Sequence, residues 1–94
     1  MSASSDAVVS DEVVLTADLH ARPAGDVTRA AAAHDAVVRL VVGDRSADAR
    51  SVLAVMGLGA TAGQTVTVTG EGLAAAVAVD AVVTVLIAAE AVTH

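Results

Sequence analysis

Two runs of alternating residues define the middle of the chain. Across Ala36–Val42, Val38, Leu40 and Val42 fall on one face of a strand. Across Gln64–Thr69, Val66 and Val68 point one way and Thr65, Thr67 and Thr69 the other, the clearest half-buried strand in the sequence. The apolar run Val13-Val14-Leu15-Thr16 predicts a first strand, with a start as early as Val8. Ala24, Val27 and Ala31 recur at helical spacing and predict a helix opened by His20 and Pro23, ending near Ala33 or His34. Gly43-Asp44 marks a turn, with a short, weak strand over Arg45 to Asp48 behind it. Ser51 is placed to cap a brief helix carrying Val52, Leu53, Val55 and Met56, which Gly57 and Gly59 end. Glu71 to about Ala91 predicts a final helix. Its apolar residues surround most of the circumference, so periodicity leaves its buried face open.

The order is strand, helix, two strands, helix, strand, helix. Strands with one polar face suit an antiparallel sheet covered by helices on its other side, an α+β open-faced two-layer sandwich. A chain of 94 residues holds one domain of this kind, expected over residues 8–94 behind a disordered lead at residues 1–7.

Composition narrows the function classes. Hydrophobic residues make up 55 % of the chain, yet Phe, Tyr and Trp are absent, so the core is built from Val, Leu, Ile, Ala and Met. All five basic residues are arginine and the net charge is −6. That balance offers nucleic acid neither an attracting field nor a stacking platform. Without cysteine there is no disulfide framework, thiolate metal site or thiol nucleophile. The three histidines, His20, His34 and His94, show no metal-ligand spacing, so neither a metal nor a cofactor is expected. The first residues, Met1 to Asp6, lack the basic start and long apolar run of a signal peptide. Leu73 to Ala89 approaches a membrane span in length, but it is rich in alanine. Asp80 in its middle would cost about 3 kcal/mol on insertion. A cytoplasmic domain without membrane insertion is the expectation.

The candidate chemistry is concentrated in Leu19-His20-Ala21-Arg22-Pro23-Ala24. Pro23 has φ already set and no N–H to donate, which suits the first turn of a helix. The helix start that follows gathers unpaired N–H groups and the positive end of the macrodipole, a setting that favours an anion. An imidazole at that point is placed to carry a phosphoryl group, with the Arg22 guanidinium adding a forked cationic contact.

This segment resembles the active-site signature of the histidine-containing phosphocarrier (HPr) family of the bacterial sugar phosphotransferase system. A second segment, Arg50-Ser51-Val52-Leu53-Ala54-Val55-Met56-Gly57-Leu58-Gly59, is similar to the serine-site region of the same family, and the separation of the two fits. The resemblance implies a four-stranded antiparallel sheet with three helices and a relay, not an enzyme. Enzyme I would phosphorylate His20 on Nδ1, and a sugar-specific enzyme IIA domain would take the group onward. Arg22 would stabilise the phosphate, together with the helix N-terminus at Ala21 and Arg22. Val52, Leu53 and Met56 would form an apolar docking patch, and Ser51 would be a regulatory phosphosite, though its position suits a helix cap equally well. The family's carriers are monomeric, which is the expectation here. Related alternatives are a carrier serving dihydroxyacetone phosphorylation and a regulatory binding module on the same fold. One departure stands out: Asp18 occupies the place of a usual glycine. A carboxylate there could repel incoming phosphate, which bears on the rate more than on the function, and Asp18→Gly tests the regulatory-module alternative, since a large gain in phosphorylation rate would mark a weakened site.

Overall fold

A computed structural model describes residues 8–91, with side chains as far as Ala88. The lead at residues 1–7 and His94 lie outside the described residues. The elements are β1 (Val8–Val14), α1 (Ala21–Ala32), β2 (Val37–Val42), β3 (Arg45–Asp48), α2 (Val52–Gly57), β4 (Thr65–Glu71) and α3 (Ala75–Ala91). The four strands form one antiparallel sheet in the order β1-β4-β2-β3. The expected open-faced sandwich is the observed one.

Register follows the alternation. Val13 faces Val66, Leu40 faces Val68 on one side and Ala47 on the other, and all five are buried. A slip of one residue would turn every one of these side chains to the open face, so the valine pattern fixes the pairing. The opposite face carries Thr65, Thr67 and Thr69. Gly43, with φ +61°, makes the tight connection from β2 to β3 that a residue with a Cβ adopts reluctantly.

Several boundaries differ from those expected by pattern, and those of β1 and α3 differ for a reason the sheet supplies. β1 begins at Val8 and ends at Val14, not at Thr16, because its partner β4 runs antiparallel from Thr65 opposite Val14 to Glu71 opposite Val8. Its centre, Ser10-Asp11-Glu12, is polar because β1 is an edge strand, where charge deters pairing with another chain. The final helix starts at Ala75 and not at Glu71. Glu71 closes β4, paired with both Val8 and Val37, and Gly72 at φ +115° turns the chain away.

The structure also settles the face of α3. Ala78, Val79, Val82 and Leu86 are buried, whereas Val77, Asp80, Thr84 and Ile87 look outward. Alanine lets the helix approach the sheet closely. At Gly70 the approach leaves no room for a side chain, since a Cβ there would fall 2.6 Å from Val79 Cγ2. On α1, Ala24, Val27 and Ala31 are buried, the face expected from their spacing. Among the described residues, no helix is long and apolar enough to cross a membrane.

Candidate phosphoryl-transfer site

His20 is the N-cap residue of α1, with φ −89° and ψ −164°, and its side chain makes no capping hydrogen bond. The extended backbone is normal for a cap, but imidazole is a poor capping group beside Ser, Thr, Asp or Asn. The ring is therefore exposed and uncommitted at the start of a helix of 12 residues. The first intrahelical acceptor is the His20 carbonyl, which receives Ala24 N–H at 2.9 Å. Ala21 and Arg22 precede that bond, and their N–H groups have no acceptor among the described residues. Pro23 follows as the third helical residue and has no N–H to leave unpaired.

Arg22 is exposed and makes no ion pair or hydrogen bond among the described residues. Two carboxylates stand close in sequence, and both are engaged elsewhere. Asp26 pairs with Arg29 on the same helix. Asp18 Oδ1 accepts the Ala62 N–H at 2.9 Å. The guanidinium is left for a ligand. An anion in front of α1 would meet two free N–H groups, the helix dipole and a forked cation together.

α2 ends at Gly57 and leads straight into the segment hydrogen-bonded to the His20 loop, where Leu19 N–H donates to Ala60 O at 3.0 Å. The C-terminal end of α2 is thus tied to the His20 loop, and its N-terminal end to the other end of α1 through Arg50. Leu53 is 81 % exposed and Met56 38 % exposed, while Val55 is buried beneath them. Val52 is half-buried and packs against the core, so it supports the patch more than it presents it.

Ser51 caps α2: its Oγ accepts Ala54 N–H at 3.2 Å. Ser51→Ala is expected to cost about 1 kcal/mol, read as a lower urea midpoint by far-UV circular dichroism. A cost near zero would mean that the cap contributes nothing to α2. Arg50, beside it, donates from Nη2 to the His34 carbonyl at 2.8 Å and so ties α2 to the end of α1.

The pattern reading missed the loop that faces His20. Gln64 is not a strand residue: its Oε1 accepts Thr61 N–H at 2.8 Å and closes the turn before β4. The contact of Asp18 with Ala62 crosses 44 positions, so no local signal foretells it.

Comparison with known proteins bears on the family and the fold. A family model described as the PTS HPr component phosphorylation site matches residues 10–88. The chain is similar to the phosphocarrier protein HPr of Bacillus anthracis, with 28 % identity and a TM-score of 0.78 over 86 % of this chain and 99 % of that one. It shares its fold with HPr-C-His from Thermoanaerobacter tengcongensis, at 24 % identity and a TM-score of 0.79 over 94 % and 99 % of the two chains. It shares it too with the histidine-containing phosphocarrier protein of Mycoplasma, at 23 % identity and a TM-score of 0.78 over 89 % and 96 %. With its motifs, its topology and a family match over most of its length in agreement, this chain belongs to the HPr family of phosphocarrier proteins of the phosphotransferase system.

Proposed function

We propose that this protein accepts a phosphoryl group on His20 from phosphorylated enzyme I and passes it to an enzyme IIA-type acceptor in sugar uptake. The observation that carries the reading is the unpaired Arg22 guanidinium beside an exposed histidine at a helix start, with both neighbouring carboxylates engaged elsewhere. In the forward step the Nδ1 lone pair of His20 attacks phosphorus. An N–P bond forms, the bond from phosphorus to the donor breaks, and its electron pair returns to the donor. The second step repeats this with His20 as the leaving group. Such transfer depends chiefly on positioning and charge stabilisation, which the two free N–H groups and Arg22 supply. The chain is a carrier with a transient phosphohistidine and no cofactor, working as a monomer in the cytoplasm. Leu53 and Met56 meet the partners, the flexible methionine suiting more than one of them.

The test is incubation with phosphoenolpyruvate and catalytic enzyme I, followed by intact mass, fragmentation and ³¹P NMR. One acid-labile, base-stable phosphoryl group on His20 is the expected product. No label, with enzyme I active on a control carrier, overturns the reading.

Arg22 supplies a further prediction. Arg22→Ala is expected to slow transfer by roughly 100-fold, the usual scale for removing one transition-state charge stabiliser. Arg22→Lys, with a point charge in place of the fork, should fall between the two. Rates within twofold of wild type for Arg22→Ala in rapid-quench assays would assign the stabilisation to the backbone alone.

A further inference from the structure

The segment leading into α1 is stitched to the segment between α2 and β4. Leu15 N–H donates to Gln64 O at 2.9 Å, Gly63 N–H to Leu15 O at 2.7 Å, and Leu19 N–H to Ala60 O at 3.0 Å. These are main-chain bonds that many sequences could make. The contact of Ala62 N–H with Asp18 Oδ1 is of another kind, because it depends on one side chain. Asp18 has a second role: its own carbonyl accepts the His20 N–H at 3.1 Å. One residue therefore grips the opposite loop with its side chain and His20 with its backbone.

The placement of His20 has few other determinants. Its imidazole makes no capping bond, and no hydrogen bond among the described residues orients the ring. Its position is inherited from the backbone on each side: α1 after it, and the Asp18-Leu19 pair before it. Leu19 is buried, which fixes the depth of the loop but not the direction in which the chain leaves it. The main-chain bond from Leu19 to Ala60 holds the chain on one side of that point, and the bond from Ala62 to Asp18 is the side-chain tie beside it.

We propose that Asp18 is a positioning residue for phosphoryl transfer, a reading that rests on the phosphocarrier role of His20. The carboxylate acts as a geometric acceptor for Ala62, and its charge is incidental. The alternative left open by the sequence is a carboxylate that weakens the site by repelling phosphate.

The test varies the carrier as the substrate of enzyme I under excess phosphoenolpyruvate, with wild type, Asp18→Ala, Asp18→Asn and Asp18→Glu. Asparagine keeps an acceptor oxygen at the same reach without the charge. Glutamate keeps the charge and moves the oxygen by one methylene. Small misplacement of a reacting group is expensive in rate, so kcat is expected to fall about tenfold for Ala and Glu, with KM within about twofold. Asn should stay within about threefold of wild type, on the same reasoning. The His20 ring resonances should move in Ala and Glu, and not in Asn, before any phosphate is added. Equal kcat in all four proteins overturns the proposal. A gain in rate for both Ala and Asn overturns it as well, since the carboxylate would then act as repulsive charge. Should Ala fail to fold, the Asn and Glu pair still decides. If wild type is not phosphorylated at all, the phosphocarrier reading fails separately, and the His20 resonances alone decide whether Asp18 places the ring.

Discussion

Alanine at His20 is expected to abolish phosphoryl transfer from enzyme I while leaving the fold intact. No other described histidine can substitute. His34 lies just beyond the C-cap of α1, Ala33, and the 12 residues of that helix separate it from the His20 end. At 1.5 Å per residue the separation is roughly 18 Å. His34 also stands at the negative end of the helix dipole, where a phosphoryl group is disfavoured. Structure should survive because the His20 side chain caps nothing. Helix content by far-UV circular dichroism should match wild type, and stability should stay within about 0.5 kcal/mol. A persistent acid-labile label on the variant would remove His20 from the mechanism.

A companion substitution separates function from folding at the same position. The backbone of His20 already has cap geometry, so His20→Asn gains a side-chain acceptor for an unpaired N–H of the first turn. It should stabilise the protein by roughly 0.5–1 kcal/mol and still transfer nothing. A stability gain without activity is what a functional residue at a poor capping position predicts. No gain would mean that the first-turn N–H groups are already satisfied by water at no cost.

The largest effect on stability is expected at Leu40. It is fully buried in β2, flanked by Val68 on β4 and Ala47 on β3, and it is among the largest fully buried side chains. A core without aromatic rings has few such anchors, and alanines around it leave little that can relax into a gap. Leu40→Ala should cost about 3 kcal/mol, from lost burial plus the residual cavity. Against a typical stability of about 5–10 kcal/mol for a domain of this size, that is a large share. Melting should fall by roughly 10–20 °C. Leu53→Ala, on a side chain 81 % exposed, should stay within about 0.5 kcal/mol. The chain has no Trp or Tyr for fluorescence, so urea melts followed by circular dichroism are the measurement. A Leu40→Ala cost below about 1 kcal/mol would mean that the sheet and helices close over the gap.

Much of the fold was legible locally. The alternation in β2 and β4, the Ala24-Val27-Ala31 face of α1 and the Gly43-Asp44 turn each follow from contacts a few residues apart. Backbone geometry repeats at fixed periods, so a side-chain pattern at the same period identifies the element and its inner face. The candidate site was legible for the same reason: His20, Arg22 and Pro23 are consecutive or nearly so, and a helix start places them together.

Tertiary structure decided the rest, and each case involves a partner distant in sequence. β1 carries a polar centre that blurs its limits, and its register with β4 fixes them at Val8 and Val14. Glu71 has helix-forming character, yet pairing with Val8 and Val37 holds it in the sheet. α3 is apolar on nearly every side, so only the packing of Ala78, Val79, Val82 and Leu86 on the core shows which face is inside. The hydrogen bond from Ala62 to Asp18 gives a carboxylate beside the site a partner 44 positions away that nothing local in the sequence indicates. Periodicity encodes what a segment is and which way it faces. What it touches depends on which other segment arrives beside it, and only the folded chain determines that.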